Sequence, residues 1–151
     1  METTNKNSSG ITARAGIGIQ APAEKVWQAL TDPAQIRQYF FGTNAESDWK
    51  EGSAVTFTGE WQGKAYRDKG TILKAEPNRL LRYTYWSSLS GIADKPENYV
   101  IITYELIPEE DGTLLTITQE NVPDEKMRKH AEENWEKVLH NLKGLLERRQ
   151  D

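Results

Sequence analysis

The 151-residue sequence contains no cysteine, which excludes disulfides, thiolate metal sites and a thiol nucleophile. Its two histidines, His130 and His140, lie ten apart in one helical stretch. At about 100° per residue they stand about 80° apart around the axis, so they cannot pair on a metal as histidines at i and i+4 do. Basic residues are not in excess: 19 Lys and Arg face 23 Asp and Glu, for a net charge of −4. The basic footprint that nucleic-acid binding needs is missing. No apolar run approaches a membrane span, and the N-terminus lacks the charged-then-apolar order of a signal peptide. A soluble, cytoplasmic protein is expected. There is no Ser-His-acid order, glycine-rich phosphate loop, metal motif or internal repeat, so no metal and no cofactor are expected.

What is present is enough for one folded domain. Apolar residues make up 36% of the chain, charged residues 28%, and there are five Trp. Residues 1–10 are polar and read as a disordered lead, leaving residues 11–149 as a single domain. The chain is organised around its last stretch, Asp124 to Arg149. There Met127, Ala131, Trp135, Val138, Leu139, Leu142, Leu145 and Leu146 recur mostly at steps of three and four, one stripe of an α-helix. Asp124 and Glu125 in its first turn and Arg148 and Arg149 at its end suit the helix dipole. Such a helix is roughly 39 Å long and needs an apolar surface to lie on.

The rest of the chain supplies that surface. Ile11 to Gln20 alternates as a half-buried strand. Pro22, near a first helical position, opens a helix with the stripe Ala23, Val26, Trp27 and Leu30. Asp32-Pro33 stops it and caps a shorter one carrying Ile36, Tyr39 and Phe40. From Gly42 the periodicity changes to two. Six strand segments follow: Ala45 to Trp49, one through Val55 and Phe57, Lys64 to Ala75, one through Leu81, Tyr83 and Tyr85, Val100 to Leu106, and one through Leu115, Ile117 and Gln119. Gly59 to Gly63, Pro77-Asn78 and Asp111-Gly112 read as turns, and Pro108 as a strand end. Residues 87–97 make a loop of about eleven residues, a length often tied to function. The order β-α-α-β6-α with short turns predicts an α+β fold of about seven strands, an antiparallel meander curved around the terminal helix.

Several stretches resemble the START-like (SRPBCC, helix-grip) superfamily. The most specific runs from Ile19 through Ala21-Pro22-Ala23-Glu24-Lys25-Val26-Trp27 to Asp32-Pro33. Lys50-Glu51-Gly52, Asp68-Lys69-Gly70, Pro77 to Tyr85, Tyr104-Glu105-Leu106 and the ending from Asn134-Trp135 to Glu147 add to it. More narrowly, the chain resembles the branch named for the C-terminal domain of the activator of the 90-kDa heat-shock protein ATPase. The resemblance covers about Ile11 to Glu147. It implies a strongly bent antiparallel sheet gripping the terminal helix, with an elongated cavity between them. The superfamily hosts lipid carriers, hormone receptors and polyketide cyclases, so fold alone does not choose an activity.

If the alternation holds, Phe57, Tyr83, Tyr85 and Tyr104 share the concave face with Val55, Leu81, Ile102, Leu115 and Ile117, and Trp135 answers from the helix. Such residues make either an ordinary packed core or apolar cavity walls with a few phenolic hydroxyls to orient a ligand. The resemblance favours the cavity. A small hydrophobic or aromatic molecule is then the expected partner, flat and partly oxygenated, since buried hydroxyls want partners. Phe40 and Trp49 are placed near an entrance. Of Phe40 and Phe41 one is expected to be exposed, because both cannot point inward from one helix end. Catalytic candidates are thin: Asp68 as a buried carboxylate with Tyr66 on the same strand face, the basis of a cyclase-like general acid–base alternative. A third alternative, a co-chaperone-like regulator with a protein partner, rests on the branch name.

Overall fold

The computed structural model describes residues 11–148. The polar lead 1–10 and Arg149 lie outside the described residues. Seven strands form one sheet in the order β1-β7-β6-β5-β4-β3-β2, with every neighbouring pair antiparallel. They are β1 (Ile11–Ile19), β2 (Asn44–Ser47), β3 (Ala54–Trp61), β4 (Lys64–Glu76), β5 (Leu80–Tyr85), β6 (Val100–Glu109) and β7 (Gly112–Val122). Helices α1 (Ala23–Thr31) and α2 (Pro33–Tyr39) connect the two edge strands β1 and β2, and α3 (Glu125–Arg148) ends the described chain. This is the α+β helix-grip arrangement that the periodicity and the resemblance predict.

Local chemistry accounts for the element ends. Pro22 precedes α1 as its cap residue in extended conformation. Asp32 caps α2 by accepting from the Ala34 N–H. Asp124 lies before the first turn of α3 and caps it, accepting from Met127 N at 2.8 Å. β2 stops at Ser47 because Trp49 takes a left-handed φ of 56° and its N–H turns back to Ser47 Oγ. Gly59 is part of β3 and not of the turn: the hairpin closes on Gln62 and Gly63, both at positive φ. Pro108 does not end β6 either. It pairs with Thr113 beyond the last β5–β6 partner, Leu80–Glu105, where its missing N–H has no strand to serve. The β6–β7 connection is Glu110–Asp111, and Gly112 opens β7.

The core lies between the concave face and α3. Trp135, Val138, Leu139, Leu142, Leu145 and Leu146 are all buried there, each worth about 1.5–3 kcal/mol of transfer from water. Met127, counted in the stripe from its spacing, is exposed in the first turn of α3. The helix also clasps β1 along the side away from β7. Glu132 Oε2 accepts from Arg14 N at 2.9 Å, Glu147 Oε2 accepts from Gln20 N at 3.0 Å, and Lys143 Nζ donates to Gly18 O at 3.1 Å. An edge strand exposes unpaired backbone groups that recruit other chains, and these three side chains occupy part of that edge.

The clasp has a pH signature. The Arg14 N–H holds the Glu132 carboxyl below its usual range, with help from Arg128, and Lys143 does the same for Glu147, with help from the Gln20 N–H. A depressed folded-state value contributes stability that is present above the unfolded value of 4.5 and lost as pH falls through the folded one. The melting temperature of the wild type should therefore drop more steeply on acidification below about pH 4.5 than that of Glu132→Gln/Glu147→Gln. Equal slopes would show that the clasp does not contribute.

Candidate functional site

The concave face and α3 bring together a continuous run of aromatic rings. From Phe40 it passes to Trp135 (centroids 5.8 Å apart), Tyr104 (6.0 Å), Tyr83 (5.6 Å), Phe57 (6.0 Å) and Tyr85 (5.8 Å). The contacts are edge-to-face or tilted, the arrangements that ring quadrupoles prefer. α2 supplies Phe40 at its C-terminal end, β3 Phe57, β5 the two tyrosines 83 and 85, β6 Tyr104 and α3 Trp135. Strand alternation puts Tyr83 and Tyr85 on one face, and antiparallel pairing sets Tyr83 beside Ile102 and diagonal to Tyr104.

The polar tips are accommodated one by one. Trp135 Nε1 donates to Gln119 Oε1 at 2.8 Å, and Tyr39 Oη donates to Ala29 O at 3.0 Å. Tyr83 Oη and Tyr104 Oη lie 2.7 Å apart in a buried pair. Burial pushes both phenols above their ordinary value, so both stay protonated and neutral. Tyr85 Oη donates to Asp68 Oδ2, and burial and that carboxylate together push its phenol up.

At the centre is a cavity of about 10 Å³ walled by Phe40, Trp49, Phe57, Tyr83, Tyr104 and Tyr39, with Leu30 and Ile36 behind them. That is room for about one water. The resemblance implies an elongated cavity; at these residues the interlocked rings leave only this small space. Phe40, Trp49, Phe57, Tyr83 and Tyr104 line the space, while Tyr85 and Trp135 each stand one ring outside it.

Asp68 and Tyr66 share a strand face but turn to different partners. Asp68 is 5% exposed and its other oxygen, Oδ1, accepts from Ser88 N at 3.0 Å. Tyr66 lies across the bare backbone of Gly59 and shares a 2.6 Å hydrogen bond with Thr43 Oγ1, fastening the α2–β2 turn to the β3–β4 hairpin. The 87–97 loop is likewise fastened. Trp86 Nε1 donates to Ile92 O, and Asp94 bridges Lys69 at 2.7 Å and Tyr99 at 2.5 Å. The two histidines are exposed on α3, and among the described residues no group of three His, Asp or Glu could hold a metal ion.

Residues 20–147 match the family described as Activator of Hsp90 ATPase homolog 1-like protein. The chain belongs to this family. Among solved structures it is similar to ChR145 from Cytophaga hutchinsonii, with 46% identity over 92% of this chain and 95% of that one and a TM-score of 0.80. MLL2253 from Mesorhizobium loti is 27% identical over 91% and 98% of the two chains, with a TM-score of 0.75. The Aha1 dimer from Colwellia psychrerythraea shares the fold, at 21% identity over 88% and 93% and a TM-score of 0.70. No curated protein matches.

In this Activator of Hsp90 ATPase homolog 1-like chain, three contributors escaped the sequence reading. Tyr39 was legible only as a core residue, and its place in the cavity wall needs the turn of α2 onto the sheet. Gln119 and Ser88 act through one contact each, and strand alternation names a face without naming a neighbour. Asp68 offers the most direct test. Asp68→Asn removes one acceptor from the Tyr85–Ser88 pair and should destabilise the protein by about 1–3 kcal/mol in urea unfolding. Amide exchange should speed at Ser88; unchanged protection there would show that Asp68 does not hold the loop.

Proposed function

We propose that this protein binds a small hydrophobic or aromatic molecule between the concave face and α3, at the cavity walled by Phe40, Trp49, Phe57, Tyr83 and Tyr104, with Tyr85 and Trp135 as outer walls. The observation that carries this reading is the meeting of two buried hydroxyls with apolar rings from α2, β3, β5, β6 and the β2–β3 loop at one internal space. Ligand pockets have this composition: mostly apolar walls and a few placed polar groups.

Entry requires rings to move, and the turn after α2 is suited to it. Tyr39 is tied to Ala29 and Thr43 is tied to Tyr66. Between those two anchors lie Phe40, Phe41 at φ 55° and Gly42 at φ 77°. A left-handed backbone costs a phenylalanine about 1–2 kcal/mol, so this three-residue span holds strain that movement would release. Trp49, the facing wall, also sits at positive φ. Phe41 is 42% exposed and leans on Trp61, which is 54% exposed.

The general acid–base alternative is the weaker one. Both Asp68 oxygens accept from Tyr85 and Ser88, and Tyr66 serves Thr43 instead. The regulator of a heat-shock protein ATPase, with a protein partner, stands as a second reading. Family membership favours it, and the exposed Phe41–Trp61 pair is its candidate contact.

The binding reading is tested by nuclear magnetic resonance with naphthalene as the added probe. Shifts should appear at Phe40, Trp49, Phe57 and Tyr104 and spare the convex-face residues Thr56 and Thr118. Absence of shifts, or shifts confined to the convex face or to Phe41 and Trp61, would contradict it.

A further inference from the structure

The hydroxyl inventory at the cavity is unequal. Tyr83 is 2% exposed and Tyr104 7%, and their oxygens form one hydrogen bond with each other. Two phenols carry two hydrogens, and a single mutual bond uses one. Tyr39 Oη donates to Ala29 O and Trp135 Nε1 to Gln119 Oε1, and among the described residues neither group lies in hydrogen-bond reach of the Tyr83 or Tyr104 hydroxyl. The remaining walls, Leu30, Ile36, Phe40, Trp49 and Phe57, offer no side-chain acceptor. One phenolic hydrogen of the Tyr83–Tyr104 pair is therefore without a protein acceptor among the described residues, at a space about the size of one oxygen atom with its contacts.

We infer that the ligand of this site is an uncharged flat molecule whose buried end carries one hydrogen-bond-accepting oxygen, a ketone, quinone or ether oxygen, held by the Tyr83–Tyr104 hydroxyl pair. This rests on the binding reading above and narrows it to a ligand class. The oxygen takes the spare hydrogen, and the ring plane behind it takes the part of the wall that Phe40 and Trp49 now occupy. A carboxylate is disfavoured. No Lys, Arg or His lines the space, and a buried anion with a single neutral donor loses far more hydration than it regains. Both phenols stay protonated when buried, so the pair donates throughout the ordinary pH range.

The test compares three probes of one shape by titration calorimetry: 2-acetylnaphthalene, 2-ethylnaphthalene and 2-naphthoate. The ketone should bind about tenfold more tightly than the hydrocarbon, which is what one net hydrogen bond supplies, and the carboxylate more weakly than both. Tyr83→Phe and Tyr104→Phe should each keep the preference, because the surviving hydroxyl still carries a free hydrogen. Tyr83→Phe/Tyr104→Phe should reduce the ratio to about one. That double variant exchanges both partners for apolar groups of the same shape, a replacement that folds normally in most cases. The carbonyl stretch of bound 2-acetylnaphthalene should lie lower in the wild type than in the double variant. Equal affinity for ketone and hydrocarbon, a preference that survives the double replacement, or tighter binding of 2-naphthoate would overturn the inference and leave the binding reading intact. Failure of all three probes to bind would overturn both.

Discussion

The structure depends on one contact, the apolar stripe of α3 lying in the concave face of a seven-stranded antiparallel sheet. A single amphipathic helix has no stability of its own in water. A curved sheet with one apolar face is equally incomplete. Each supplies what the other lacks, and Trp135 marks the centre of the contact, touching Phe40 on one side and Tyr104 on the other. The clasp on β1 follows from the same placement. A helix lying along the concave face brings Glu132, Lys143 and Glu147 beside the backbone of β1 on the side away from β7.

That contact also limits how the interior could take the proposed ligand. Large rings meeting edge to face fill space well, and here they leave about 10 Å³. Binding in such a place means exchanging ring–ring contacts for ring–ligand contacts, which suits flat molecules better than flexible chains. The walls differ in how firmly they are held. Phe57, Tyr83 and Tyr104 belong to paired strands. Phe40, next to the left-handed Phe41, and Trp49, itself left-handed, belong to irregular segments. In the proposed binding, the paired strands would serve recognition and the irregular segments access.

Periodicity carried most of the fold. The three-and-four spacing from Ala131 to Leu146 and the alternation through Val55–Phe57, Leu81–Tyr85 and Ile102–Leu106 located α3 and the inner face, because burial period is what sequence records most directly. The resemblance then joined these pieces into the grip. Features set by a single close approach were not legible. Gly70 allows β4 to meet the Thr84 carbonyl oxygen where a Cβ would overlap it, and nothing in the local sequence announces that contact. Tyr66 and Asp68 share a face, yet one reaches Thr43 and the other Tyr85, a choice made by strands distant in the chain. The volume left between rings was equally out of reach, since the same residue types line a void or fill it.

The most direct measurement of the central claim is native mass spectrometry of the protein isolated gently from its own source. The account predicts a one-to-one complex with an uncharged apolar molecule whose mass disappears on denaturation. A bare protein mass that also stays bare after incubation with flat aromatic ketones would contradict it, and would leave the Phe41–Trp61 surface and a protein partner as the reading to pursue.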